Sequence, residues 1–220
     1  MNPSTAGVGN SHAPLCEAYT DQLREHALVL LWMGYQRMKP ESFAREQEDS
    51  ITGELVREIN EAMQDLAAPE WVQHYSVPDQ VRLNVPGVLG KSRPIVDIEF
   101  ERHKQGRRPR LRFEAKRLGP GHGTGKYLGR EGLGAFIKRD YPTTHGESGM
   151  LGYVQQHTED RWAGVIARKL TDSARNYRVI QEGGWARCNR ANPPDHAYRT
   201  IHMDSVNKQL AVLHVLLRFY

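Results

Sequence analysis

From Ile95 to Lys116 the chain reads IVDIEFERHKQGRRPRLRFEAK. Polarity alternates with a period of two, stops at Gln105-Gly106, and alternates again. Successive side chains on a strand point to opposite sides. The first run therefore sets Val96, Ile98 and Phe100 on one face and Asp97, Glu99 and Glu101 on the other. The second run sets Leu111, Phe113 and Ala115 on one face and Arg110, Arg112, Glu114 and Lys116 on the other. No helix sorts these residues this way, so the segment is a β-hairpin. Closing it over Gln105-Gly106 pairs Glu101 with Arg110 and Glu99 with Arg112, both favourable opposite-charge pairs.

The same register puts Asp97 opposite Glu114. Facing Cβ atoms lie about 4.5–5.5 Å apart, and like charges there are destabilising. A divalent cation reverses that sign, because two carboxylates and a backbone carbonyl suit a hard, oxygen-seeking ion. Lys116 follows Glu114 by two residues on the same face and reaches the same place. The plainer reading is acid–base decoration of an exposed sheet, with Asp97 paired to Lys116 and Glu114 to an arginine. Against it, the hairpin is followed by an apolar helical pattern and more strands, which marks a central sheet.

The rest of the chain supplies the layers. Residues 17–38 read as a helix with Leu23, Ala27, Leu30, Leu31 and Met38 on its apolar face. Lys39-Pro40 interrupts, and a second helix is expected from Phe43 to Leu66, with Ile51, Leu55, Ile59, Met63 and Leu66 at helical spacing. Residues 79–118 read as strands, VRLNV included. GPGHGTGKYLG (119–129) lacks the GxxxxGK[ST] spacing of a phosphate loop and is expected to be a flexible connection. A short helix over 131–139, a turn-rich loop, a strand over MLGYVQ and a helix from Glu159 to Ala174 follow. Strands are expected over 177–203, around Gly183-Gly184 and an Asn-Pro-Pro loop. The final KQLAVLHVLLRFY fits strand or helix and is taken as strand. The expectation is an α/β fold with a mixed central sheet flanked by helices. Residues 1–14 form a disordered tail and 15–220 one domain: an N-terminal helix over 15–40, a core over 43–170 and C-terminal strands over 177–220.

Charge and composition narrow the function. The net charge is +4, but Glu101–Arg117 holds eight Lys or Arg against two acids, a density suited to a phosphate backbone or to a solvated hairpin tip. Two cysteines rule out a disulfide framework or a cysteine-rich zinc site and fit a reducing cytoplasm. The first residues lack the pattern of a signal peptide, and no run of 18 apolar residues exists, so no membrane partner is expected. The ten histidines show no zinc-finger spacing, and His214, inside an apolar run, reads as a hydrogen-bonded core residue. There is no G-x-S-x-G elbow; the spacing around Ser148 is wrong for one.

A helix with acids, a strand with Asp97 and a strand with Glu114-Ala115-Lys116 together resemble the PD-(D/E)XK, or restriction-endonuclease-like, nuclease superfamily. The resemblance covers about residues 45–170, and Val96 stands where the family's motif often has proline. Residues 127–154 and the C-terminal AVLHVLLRF are similar to uncharacterised bacterial proteins of this type associated with anti-phage defence. The resemblance implies a Mg2+-dependent endonuclease acting on DNA, with Mn2+ as a substitute, and a defence effector role. Asp97, Glu114 and the Ala115 carbonyl would hold the metal, and Lys116 would orient the attacking water. An acid of the preceding helix often completes such a site: Glu48 is the first choice, then Glu54 and Glu58. A defence-system partner protein and a homodimer fit the same picture. The alternatives are a catalytically inactive module of this fold that binds nucleic acid or a partner, or a nuclease of RNA or structured DNA.

Overall fold

The hairpin anticipated from alternation is the spine of a mixed eight-stranded sheet. The structure is a computed structural model that describes residues 13–103, 108–180, 184–188 and 194–220. The Gln105-Gly106 turn, Gly183, Arg190, Asn192-Pro193 and the first twelve residues of the expected tail lie outside them. Strand β3 (Ile95–Arg102) pairs antiparallel with β4 (Arg110–Leu118). On its other side β3 takes two short strands, β1 (Tyr75–Ser76) and β2 (Asp79–Arg82). Parallel pairing links β4 to β5 (Glu147–Val154), and β5 to β8 (Gln209–Arg218). Antiparallel β7 (Ala197–Met203) and β6 (Ala186–Arg187) complete the order β1-β3-β4-β5-β8-β7-β6. The C-terminal apolar run is thus a strand, buried from both sides by the helical layers, which explains why it shows no alternation.

Helices α1 (Ala13–Arg37) and α2 (Glu48–Met63) cover one face. Leu23, Ala27, Leu30 and Leu31 pack with Ile51, Leu55 and Ile59 on Ile98, Phe100, Phe113 and Tyr153. Helices α3 (Thr124–Leu128), α4 (Leu133–Lys138) and α5 (Glu159–Asp172) cover the other. There Tyr127, Leu133, Phe136, Ala163 and Ile166 pack on Met150, Val154, Val212 and Leu216. Among the described residues no helix is long and apolar enough to cross a membrane.

Several boundaries differ from expectation. Helix α1 begins at Ala13, so Pro14 belongs to its first turn, where a missing N–H costs nothing. The second helix does not start at Phe43: Pro40–Phe43 forms a 3-10 turn, and α2 starts at Glu48 after an extended Gln47. It ends at Met63, leaving Leu66 fully exposed rather than on the apolar stripe. VRLNV is strand only through Arg82. The glycine-rich stretch is not a loose connection, since α3 lies inside it and buries Tyr127 and Leu128 completely.

Candidate active site

The β3–β4 ladder follows the anticipated register, with Glu101 facing Arg110 and Glu99 facing Arg112. Its last pair is Ile98–Phe113, so the anticipated Asp97–Glu114 pair is not part of the ladder, and Val96 packs in the core under α3–α5 rather than with Ile98 and Phe100. One step further, the Asp97 side chain takes over a backbone role: its Oδ2 accepts the Ala115 N–H at 2.7 Å, and its Oδ1 accepts from Gln80 Nε2 at 3.2 Å. Asp97 is 8% exposed and Glu114 5%. Burial raises the Asp97 pKa to about 6; the Ala115 N–H and Lys116 hold it down, and Glu48 and Asp49 push it up. Burial, then the Asp97 charge, raise Glu114 to about 8, against the pull of Lys116.

Lys116 ties the acids together. Its Nζ donates to Glu114 Oε1 at 2.8 Å, to Glu48 Oε1 at 2.8 Å and to the Ala115 carbonyl at 2.7 Å. Burial alone would lower the lysine pKa, but Glu114 and Glu48 outweigh it and hold the ammonium above its ordinary value. Glu48 is the first residue of α2, and its other oxygen accepts the Arg117 N–H at 3.2 Å. The rotation of α2 thus brings Glu48 to the site. Glu54 points away and is paired with Arg57, and Glu58 is paired with Arg37 and Arg57.

The surroundings fix these groups. Gln155, at the end of β5, donates to the Phe43 and Glu46 carbonyls at 2.9 Å each, pinning the segment that launches α2. Thr52 and Tyr153 share a buried hydroxyl contact of 2.9 Å. Along the same sheet face, Arg112 bonds Glu99 at 2.7 Å and donates to the Pro142 carbonyl, anchoring the loop that carries Tyr141. Burial raises the Tyr141 pKa first, the Glu114 and Asp97 charges add to it against the pull of Lys116, and a hydrogen bond to Glu114 raises it further. The basic stretch is not one open patch: Arg108, Arg110 and Arg112 are engaged with Glu99 and Glu101. Sequence reasoning missed Gln155 and the cleft lining from the glycine-rich segment. A polar cavity of about 200 Å³ opens beside Glu48 and Lys116 and is walled by Arg117, His122, Lys126 and Glu131.

One observation bears on a cation. Among the described residues the buried Glu114 Oε2 makes no hydrogen bond of ordinary geometry, although the Tyr141 hydroxyl also reaches this carboxylate. Asp97, Glu114 and the Ala115 carbonyl are donor types that Mg2+ prefers, and the Asp97 and Glu114 carboxylates are close enough for their charges to interact. Among the described residues no cluster of three His, Cys, Asp or Glu is gathered for a metal. Mg2+ needs only one or two carboxylates, filling its remaining positions with water and substrate oxygens. The residues present therefore fit that ion. Compared with known proteins, the chain matches no family model, no curated protein and no solved structure.

Proposed function

We propose that the protein is a divalent-metal-dependent endonuclease of the restriction-endonuclease-like kind, hydrolysing phosphodiester bonds of DNA. The supporting observation is a cluster of buried Asp97, Glu114 and Lys116 with half-buried Glu48, in which, among the described residues, Glu114 Oε2 makes no hydrogen bond of ordinary geometry. A cation would supply a partner for that oxygen, whose burial without one costs about 1–3 kcal/mol.

Asp97, Glu114 and the Ala115 carbonyl would hold Mg2+, or Mn2+ in its place. When bound, the cation supplies Lewis-acid chemistry: it activates water and offsets charge building on the scissile phosphate. Asp97 is oriented by the Ala115 N–H, so its carboxylate is set before substrate arrives. Glu48 holds the Lys116 ammonium near Glu114, where that ammonium orients the attacking water and stabilises negative charge on the phosphate. The Ala115 carbonyl accepts from Lys116 Nζ at 2.7 Å, and it would hold the cation with that ammonium turned toward water or phosphate. The N-terminal helix is an extension to this core. The defence role and a partner protein rest on the resemblance in residues 127–154 and 211–219.

The test is cleavage of supercoiled plasmid, linear duplex, single-stranded DNA and RNA with Mg2+, Mn2+ or EDTA. Glu114→Gln and Lys116→Ala are run beside the wild-type chain. Metal-dependent cutting lost in both variants supports the nuclease, and the preferred substrate separates DNA from RNA. Absence of cutting on every substrate, with nucleic-acid binding intact in both variants, favours the non-catalytic module.

A further inference from the structure

We propose that the cleft beside Glu48 admits a single strand of DNA, held by its phosphates on Arg117 and Lys126, with no dependence on base identity. This rests on the nuclease reading for what happens at Glu114, but not for binding.

Access comes first. Asp97, Glu114 and Lys116 are all under 10% exposed. A described opening reaches Lys116, with Glu48 beside it, as a cavity of about 200 Å³. That space takes one phosphodiester link and its sugar, not the width of a base-paired helix. A lone strand bends its backbone into such a cleft, whereas a duplex meets the rim.

Charge comes second. The lining carries Lys116, Arg117 and Lys126 against Glu48 and Glu131, and Lys116 is shared between Glu48 and the buried Glu114. Arg117 and Lys126 face the other acid, Glu131, so the wall is net positive. His122 lies among these charges: burial, then Arg117 and Lys126, hold its imidazole below the ordinary pKa. It is therefore a neutral hydrogen-bonding group at neutral pH. Arg117 is braced by the Glu46 carbonyl at 3.3 Å. Lys126 stands exposed on α3, whose Tyr127 is locked in the core.

Base readout is the missing component. The described cleft lining holds no Phe, Tyr or Trp, so a strand there is held through its phosphates rather than by bases stacked on aromatic rings. Contacts to phosphate position a strand without reading it.

The experiment measures anisotropy of fluorescein-labelled single-stranded DNA and of the matching duplex, in EDTA, across a salt series. The full chain is compared with Lys126→Ala, Arg117→Ala, Glu131→Gln and the exposed α5 control Lys169→Ala, each checked for an unchanged melting curve. Single strand should bind more tightly than duplex, with little change between sequences. Lys126→Ala and Arg117→Ala should each weaken binding by about fivefold to tenfold. Each should also lower the slope of log affinity against log salt by about 0.7, the value for one lost single-strand phosphate contact. Glu131→Gln should tighten binding and Lys169→Ala leave it unchanged. Equal or tighter duplex binding, or an unchanged affinity and slope in both Lys126→Ala and Arg117→Ala, overturns the proposal. Because no metal is present, this result is separate from cleavage. Strand binding lost in the two variants but no cutting with Mg2+ would remove the nuclease and leave the cleft. Cutting with Mg2+ but no single-strand preference would do the reverse.

Discussion

Glu114 and Lys116 lie two residues apart on one face of β4 and share a 2.8 Å hydrogen bond through Glu114 Oε1, while Oε2 of the same carboxylate is buried and, among the described residues, makes no hydrogen bond of ordinary geometry. Strand periodicity brings the two together, and burial makes the arrangement costly. Asp97 adds a second negative charge, and the single ammonium between Glu48 and Glu114 does not compensate all three acids. With all three acids ionised, a cluster left two positive charges short in a dry place is complementary to a divalent cation, and it makes the stability of the metal-free protein depend on pH.

That dependence has a definite sign. Asp97 and Glu114 titrate at about 6 and about 8 in the folded chain, above their ordinary values of 3.8 and 4.5. The folded state therefore holds these protons more tightly than the unfolded state. The stability this contributes is full below the ordinary values and is lost as pH rises through about 6 and then about 8. In EDTA the melting temperature should fall between pH 5 and pH 9. Glu114→Gln should remove most of the fall and be more stable than wild type at pH 9 by on the order of 2 kcal/mol. Mg2+ should raise the wild-type melting temperature more at pH 8 than at pH 5. A flat profile in EDTA, or a Glu114→Gln variant less stable at pH 9, would contradict the electrostatic account.

Gln155 is expected to act through Glu48 rather than on substrate. Its amide holds the Phe43 and Glu46 carbonyls, so Gln155→Leu leaves both without that donor and frees the segment before α2. Cleavage should fall by roughly tenfold to a hundredfold, in keeping with what small misplacements of catalytic groups cost. The loss should appear in kcat rather than KM, since Gln155 lines neither Arg117 nor Lys126 in the cleft. Gln155→Glu, which cannot donate to carbonyls when ionised, should behave like Gln155→Leu. A KM effect alone would place Gln155 in substrate binding instead.

What could be read in advance follows from the range of each interaction. The hairpin register was legible because period two and the Glu99–Arg112 and Glu101–Arg110 pairs specify it twice. Glu48 was legible as the acid one turn before Ile51 on the core-facing stripe of the helix. The start itself was misplaced because Phe43, an apolar residue at nearly helical spacing, belongs to a separate 3-10 turn. Helix α3 was illegible: five residues among glycines carry no periodicity, and Tyr127 and Leu128 are held by tertiary packing alone. The Gln155 contacts join residues 109 and 112 positions apart through one side-chain amide, leaving no local pattern.

Gly34 shows a different tertiary constraint. A glycine inside a helix is unfavourable by roughly 1 kcal/mol against alanine. Here a Cβ would lie 2.4 Å from Ile59 Cγ1 and 2.9 Å from the Ile59 backbone nitrogen. The second atom belongs to α2 itself, so rotamer change cannot relieve the clash. Gly34→Ala should therefore lose stability despite its better propensity, by about 1–3 kcal/mol for an overpacked contact. Urea unfolding reads this directly, and a stabilised variant would show that the two helices separate freely.

A last prediction concerns a buried polar chain linking α3 to the sheet. His202 Nδ1 donates to the Tyr177 carbonyl at 2.8 Å, which leaves its Nε2 to accept from the Thr200 hydroxyl at 2.7 Å. Thr200 Oγ1 then accepts from His214 Nε2 at 2.8 Å, and His214 Nδ1 accepts from the Tyr127 hydroxyl at 3.0 Å. One neutral tautomer of each histidine satisfies the whole chain. Burial lowers the His202 pKa to about 4, with the Tyr177 carbonyl opposing, and lowers His214 well below its ordinary value, with His202 adding to the effect. Neutral burial contributes stability that is full above the unfolded value of 6.5 and is lost as pH falls toward about 4. His202 alone accounts for about 3 kcal/mol of that loss. Thr200→Val keeps the shape but leaves two imidazole nitrogens unpartnered, a cost of about 2–4 kcal/mol at neutral pH. Its melting temperature should drop by roughly 5–15 °C. Because Tyr127 anchors the helix that carries Lys126, the same variant should weaken single-strand binding, while the Asp97–Ala115 contact, on the far side of β5, stays in place. Unchanged stability in Thr200→Val would mean that water takes over both nitrogens and that the chain does not hold α3.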